Sequence, residues 1–242
     1  MSATAPTFLP LYRQIRDLIL RSLEAGEWRP GAAIPSELEL AARFRVSQGT
    51  VRKAIAELAG ENLLLRRQGR GTFVATHSEL RQQFRFLRIV PDEGAPEPYE
   101  SRASECRRAR ASVEAARLLE LKPGDGVVCI RRVLRFGGAP IVLEEITLPG
   151  SMFKGLSAAK LGKHAGSIYH LYETEFGTPM IRADEKLRAA AADAGAAQAL
   201  GVVAGTPLLS VERVAFTYGD RPVEWRRGLY RTDKHYYRNV LT

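Results

Sequence analysis

The most constraining stretch of this 242-residue chain lies between residues 36 and 74. Ser36, with Glu39 three residues on, has the capping-box spacing of a helix start, and Leu38, Leu40, Ala41 and Phe44 give that helix an apolar face. After a short turn at Val46, Ser47 reads as the cap of the next helix, in which Val51, Ala54, Ile55 and Leu58 recur at helical spacing up to Gly60. Two strand-like runs, 63–67 and 72–74, then flank Gln68-Gly69-Arg70-Gly71, whose glycines allow the positive φ that a tight hairpin needs. Upstream, Leu11, Ile15, Leu18, Ile19 and Leu23 form one further apolar stripe, closed by Gly26. Three helices followed at once by a basic hairpin is the layout of a winged helix-turn-helix, assigned here to residues 1–76.

Beyond it the character changes. Residues 77–96 read as a linker and first strand, with Gly94, Pro96 and Pro98 marking a loop, and residues 97–242 as a second domain. Strand-like runs fall at 127–136, 141–148, 181–187, 208–218 and 223–230. Gly137-Gly138-Ala139-Pro140 and Gly219-Asp220-Arg221-Pro222 are the expected hairpin turns. Helices are expected at 113–119, 167–176 and, on alanine content, 189–200. Strands joined mostly by hairpins, with helices packed on them, make an antiparallel α+β domain. With 45% apolar and 26% charged residues the chain can bury both cores.

The positive charge is concentrated. Of a net +9, residues 43–72 hold five, with seven Lys or Arg against two Glu. Such a patch displaces counterions from a phosphate backbone. Gln48, Thr50, Arg52 and Lys53 occupy the first turns of the third helix, the part of a recognition helix that enters a major groove. Gln48 suits adenine, Arg52 guanine or a phosphate, and Thr50 a phosphate or a thymine methyl. Gly69 lets the hairpin tip approach a narrow groove, with Arg67, Gln68 and Arg70 around it. The expected partner is double-stranded DNA.

Over residues 8–75, the segments PLYRQIRDLI, GEWRPGAAIPSELELAARFRVSQGTVRKAIAEL and LLLRRQGRGTFVA closely resemble the winged-helix domain of the GntR family of bacterial transcription regulators. The resemblance implies DNA contacts from Ser36, Ser47, Gln48, Thr50, Arg52 and Gly69. Leu38 and Gln48 stand where many relatives have arginine, so an operator sequence does not carry over. The C-terminal part resembles, more loosely, the UTRA effector-binding domain of the HutC subfamily. That match rests on LxLKPGDxVxxIRRVLRFGGAPIVLEEITLP (119–149), SIYHLYETEFG (167–177) and PVEWRRGLYRTDKHYY (222–237). It implies a chorismate-lyase-like antiparallel sheet with helices, whose cleft holds a small molecule.

By motif match the effector residues are Arg132, Glu144, Ser167, Tyr169 and Tyr230. An arginine fork suits a carboxylate or phosphate, and a helix start adds a hydroxyl, backbone N–H groups and the helix dipole. Other readings stay open for each: Arg132 pairing only with Glu144 across a hairpin, Ser167 only capping its helix, and the tyrosines packing as core aromatics. Relatives that bind phosphorylated sugars tend to carry a second arginine where this chain has Leu134, and FRFLRIV (84–90) replaces their Ser/Thr-rich segment. A singly charged or partly apolar organic acid is therefore expected, with Arg88 or Arg135 as extra contacts.

No cofactor or metal is expected. Cys106 and Cys129 are too few and too far apart for a zinc cluster, and His164, His170 and His235 lack partners at metal-ligand spacing. No nucleophile elbow or phosphate-cradling loop appears, and Glu144 and Glu145 read as one inward and one outward strand residue, so an enzyme is not expected. No apolar run approaches the ~18 residues of a membrane span, and the first residues lack signal-peptide character, placing the protein in the cytoplasm. The expected function is transcription regulation, most simply a repressor released from a palindromic operator by its effector. A homodimer would be joined through the C-terminal domain. Two alternatives are an effector-independent DNA-binding protein and an enzyme with a lyase-like domain fused to a DNA-binding one.

Overall fold

A computed structural model describes residues 9–76, 87–94, 98–164 and 167–239. Residues 84–86 of FRFLRIV, Pro96 and the first half of the expected linker lie outside them. The chain divides into two compact units, Met1–Thr76 and His77–Thr242.

In the first unit, α1 (Leu11–Glu24) buries Ile15, Ile19 and Leu23 at four-residue spacing. Leu11 and Leu18, expected on the same stripe, are instead exposed, because the buried face is only one residue wide per turn. α2 (Glu37–Phe44) starts at Ser36 with both halves of the capping box, and ends at Arg45 in the left-handed region (φ 54°). Its buried residues are Leu40 and Ala41; Leu38 was expected with them but is 69% exposed. α3 (Gln48–Gly60) is capped by Ser47 and buries Val51, Ala54, Ile55 and Leu58, all at 0% exposure, which fixes its opposite face outward. β1 (Leu64–Arg67) and β2 (Gly71–Val74) form the hairpin. Gly69 at its tip has φ +69° and Gly71 +101°, conformations that a side chain would strain. Residues 31–34 run along β2 as a third edge, through Val74 N–H to Ala32 O (2.9 Å) and Ile34 N–H to Thr72 O (3.0 Å).

The second unit contains β3 (Ile89–Pro91), β4 (Tyr99–Arg110), α4 (Val113–Leu118), β5 (Gly126–Phe136), β6 (Ala139–Pro149), α5 (Ala158–Lys163) and α6 (Ile168–Phe176). It continues with β7 (Arg182–Ala191), α7 (Ala194–Leu200), β8 (Pro207–Phe216), β9 (Pro222–Tyr230) and β10 (His235–Tyr237). Six strands form one antiparallel sheet in the order β4-β5-β6-β9-β8-β7, while β3 pairs with β10. The last strand of the six in sequence thus lies inside the sheet, between β6 and β8.

The α+β expectation holds, with two corrections. The helix expected over 189–200 begins only at Ala194, capped by the Asp193 side chain; Ala189, Ala190 and Ala191 pair with β8 as strand. Alanine content favours helix, but the sheet partner and the aspartate cap decide the boundary. The twelve-residue β4 and the short α5 had no counterpart in the sequence reading.

One sheet face is covered by α6. Val128, Ile130, Ile146 and Leu148 pack there with Phe153, Ile168, Leu171 and Tyr172. Toward the other strand ends, Leu134, Phe136, Val142 and Tyr230 pack with Leu87 and Ile89. Between these two apolar clusters the strands carry Arg132, Glu144, Arg213 and Arg226, each at most 4% exposed. On the opposite face α4 and α7 cover Trp225 and Leu143, respectively.

Candidate nucleic-acid interface and ligand cleft

The two serine caps set the outward elements of the first unit. Ser36 Oγ accepts from Glu39 N–H (3.3 Å) and Ser47 Oγ accepts from Thr50 N–H (3.2 Å), so both helices begin at the surface. Thr50 Oγ1 lies 2.8 Å from Ser47 Oγ. Gln48 and Arg52, one turn apart on α3, both reach Glu37 at the start of α2: Gln48 Nε2 donates at 3.4 Å and Arg52 Nε at 2.9 Å. Arg66 of β1 donates to the same carboxylate at 3.2 Å and to Arg52 O at 3.1 Å. Lys53 stands 3.9 Å above the Tyr12 ring and Arg67 4.8 Å from the Phe73 ring. Gln68, Gly69 and Arg70 are exposed at the hairpin tip. Every expected DNA-facing residue is therefore placed on α2, α3 or the hairpin. The sequence reading missed Glu37, which ties those three elements together; its place within Pro35-Ser36-Glu37 marked it only as part of a helix start.

In the second unit a cavity of about 530 Å³ opens between β4, β5, α5 and α6. Its wall includes Tyr99, Ser101, Arg132, His164, Ile168 and Leu171. Arg132 Nη1 donates to Ser101 Oγ (3.2 Å) and Nε to Glu144 Oε2 (2.6 Å), its cross-strand neighbour. Ser167 Oγ caps α6, accepting from His170 N–H at 3.1 Å, next to the wall residue Ile168. The other expected effector residues do not line the cavity. Glu144 lies behind Arg132 at 0% exposure, Tyr169 turns into the core, and Tyr230 belongs to the cluster around Leu134. Arg135 donates to Gly138 O and Arg88 to Asn239, both away from this wall.

Residues 11–74 match the family model for bacterial regulatory proteins, gntR family, and residues 97–236 match that of the UTRA domain. The chain belongs to the GntR family and carries a UTRA domain. The HTH-type transcriptional repressor NagR of Bacillus subtilis (strain 168) is 28% identical over 230 residues, 94% of this chain and 93% of that protein. The mannosyl-D-glycerate transport/metabolism system repressor MngR of Escherichia coli (strain K12) is 27% identical over 230 residues, 93% of each. A crystal structure of the ligand-binding domain of a GntR-family transcriptional regulator from Bordetella bronchiseptica is 52% identical, with a TM-score of 0.64. It covers 65% of this chain and 98% of its own.

This GntR-family protein is thus a DNA-binding transcription regulator with an effector-binding domain, and the family closes the enzyme reading. Beneath its cleft wall runs a continuous buried network that sequence reasoning did not find. Arg226 Nη1 donates to Glu144 Oε1 (2.7 Å), while its Nε and Nη2 grip Glu224 at 3.0 and 2.7 Å. Tyr169 Oη donates to Glu224 (2.8 Å) and accepts from Arg213 Nη1 (3.2 Å), and Arg213 Nε donates to Glu185 (2.6 Å). Tyr237 of β10 donates to the second Glu185 oxygen. Burial would push the Glu144 carboxyl up, but the charges of Arg132, Arg226 and Arg213 and the Arg132 hydrogen bond prevail and hold its pKa down at about 2. Burial raises the Tyr169 pKa, so its hydroxyl stays a donor. The available signal was Glu224 and Arg226, two residues apart in the PVEWRRGLYRTD segment, which strand alternation places on one face without naming their partner. Among the described residues no cluster of His, Cys, Asp or Glu could hold a metal ion, and no helix is long and apolar enough to cross a membrane.

Proposed function

We propose that this regulator is a cytoplasmic repressor that binds a palindromic operator as a homodimer and releases it when a small organic acid occupies the cleft beside Arg132. The observation that carries the DNA half is the joining of α2, α3 and the hairpin by Glu37, which makes one surface of Ser36, Ser47, Gln48, Thr50, Arg52, Lys53 and the hairpin residues Arg67, Gln68, Gly69 and Arg70. In this reading Gln48 and Arg52 meet base edges, Thr50 and Lys53 the backbone, and the glycine tip an adjacent groove. Two half-sites need two copies of that surface, joined through the 97–242 domain, with residues 77–96 as the connection.

On the effector side, Arg132 Nη2 makes no hydrogen bond among the described residues, so it and the Ser101 hydroxyl are available to a carboxylate. Ile168 and Leu171 would meet an apolar body, and Ser167 contributes the helix start. Glu144 supports this wall from behind, and Tyr169 joins it through Glu224 and Arg226. Effector and operator would each weaken the other by the same factor, since both bias one equilibrium. The experiment is a thermal-shift screen of small organic acids, then operator gel shifts with each hit. A hit that loosens the wild-type operator complex and leaves that of Arg132→Gln unchanged is the expected result; loss of response in neither sinks the reading.

A further inference from the structure

Among the described residues of α2, α3 and the hairpin, one large apolar side chain is exposed: Leu38, at 69%. It stands in the first turn of α2, two residues after the capping Ser36 and directly after Glu37, whose carboxylate receives Gln48 and Arg52 of α3. We propose that Leu38 is a base-reading residue, which selects a thymine in each operator half-site by contact with its 5-methyl group. This deepens the DNA reading above and rests on it for the surface, to which it adds a residue and a base.

A lone exposed leucine is commonplace on a protein surface. Here its surroundings matter. The core side of α2 is made by Leu40 and Ala41, at 0% and 8% exposure, so folding makes no use of Leu38. The polar side chains of the same turn are already engaged. Ser36 and Glu39 hydrogen-bond to one another in the capping box, and Glu37 is bound to α3 and to Arg66 of the hairpin. Leu38 is the group this turn has left to offer a duplex. In the major groove the thymine methyl is the apolar feature, while the other base edges present donors or acceptors that a leucine cannot satisfy. Against one of those edges it would strip water without return; against the methyl, both partners lose apolar surface to water. The side chain therefore favours thymine and disfavours the other three bases. Thr50 carries the other methyl group expected near bases, and its hydroxyl lies 2.8 Å from Ser47 Oγ.

In the experiment, full-length protein selects its operator from a random duplex pool. Each thymine of one half-site is then replaced in turn by deoxyuridine, which removes the methyl and keeps every hydrogen-bonding group. At one position the wild type is expected to lose about three- to tenfold in affinity. Leu38→Ala should bind the unmodified operator more weakly, since both half-sites lose the contact, and should be indifferent to deoxyuridine at that position. Arg52→Ala should also bind more weakly yet keep the sensitivity. Cytosine and 5-methylcytosine at the same position give a second readout: the wild type should prefer the methylated base, and Leu38→Ala should bind both equally. Because the side chain lies outside the core, Leu38→Ala should melt with the wild type. An operator with no methyl-sensitive thymine overturns the proposal and leaves the DNA surface standing. So does one whose sensitive thymines, read by Thr50, all stay sensitive in Leu38→Ala. A pool that yields no recurrent sequence defeats the proposal and the operator reading together.

Discussion

The Nε of Arg52 lies 2.9 Å from Oε2 of Glu37, so a residue on the outward face of α3 is oriented by a carboxylate at the start of α2. The same carboxylate holds Arg66 on the hairpin, which makes the angle between helix and hairpin depend on one acidic side chain. Among the described residues the two Nη groups of Arg52 make no hydrogen bond and are therefore oriented but unspent, the state in which a guanidinium can fork onto a guanine.

Glu37→Gln is expected to separate specific from non-specific binding. Loss of an anion near the DNA backbone raises affinity for unrelated duplex, while a looser Arg52 lowers affinity for the operator, so their ratio falls by roughly tenfold. Competition gel shifts read both quantities, and a common shift of the two in one direction would contradict the orienting role.

Arg52→Ala and Arg70→Ala should differ in kind. The first should cost about 1–3 kcal/mol on the operator and relax choice at one base pair; the second should weaken all sequences alike and reduce the salt slope by about 1. Affinity measured across a salt series distinguishes them.

Acid should weaken the UTRA unit through Glu144. Its pKa in the folded chain, about 2, lies below its ordinary 4.5, so the stabilisation is complete above about pH 4.5 and is lost as pH falls toward 2. In a Trp28→Phe background Trp225 fluorescence reports this unit, and the urea midpoint should drop across that window. A midpoint flat from about pH 5 to about pH 2.5 would contradict it.

Arg226→Met leaves two buried carboxylates without their shared cation and should cost roughly 3–5 kcal/mol by urea denaturation. Gly228→Ala tests packing in the same strand, because a methyl there would overlap the Tyr230 ring. A cost of about 1–3 kcal/mol is expected.

The winged-helix elements were legible because their signals are local: caps three residues from their targets and apolar residues four apart, as at Ser36, Ser47, Ile15 and Ile19. Leu38 misled because an apolar residue on a short helix does not announce which side faces the core. β4 was unreadable since its sequence, YESRASECRRAR, is that of an exposed edge strand with charge where an inner strand would have valine. The cleft was half legible. Arg132 and Ser167 could be named from motifs, but the burial of Tyr230 and the seating of Glu144 on Arg226 depend on residues 82 or more apart in the chain, which no local pattern encodes.

Because β9 lies between β6 and β8, the sheet cannot close until that strand has left the ribosome. The β4-β5-β6 meander and the β7–α7–β8 piece must wait apart, with Glu144 paired to Arg132 alone, until Arg226 arrives on the strand that unites them. The nascent chain therefore completes its DNA-reading head well before it can sense a metabolite, and the final splice of the sheet and the settling of its interior charge are a single event.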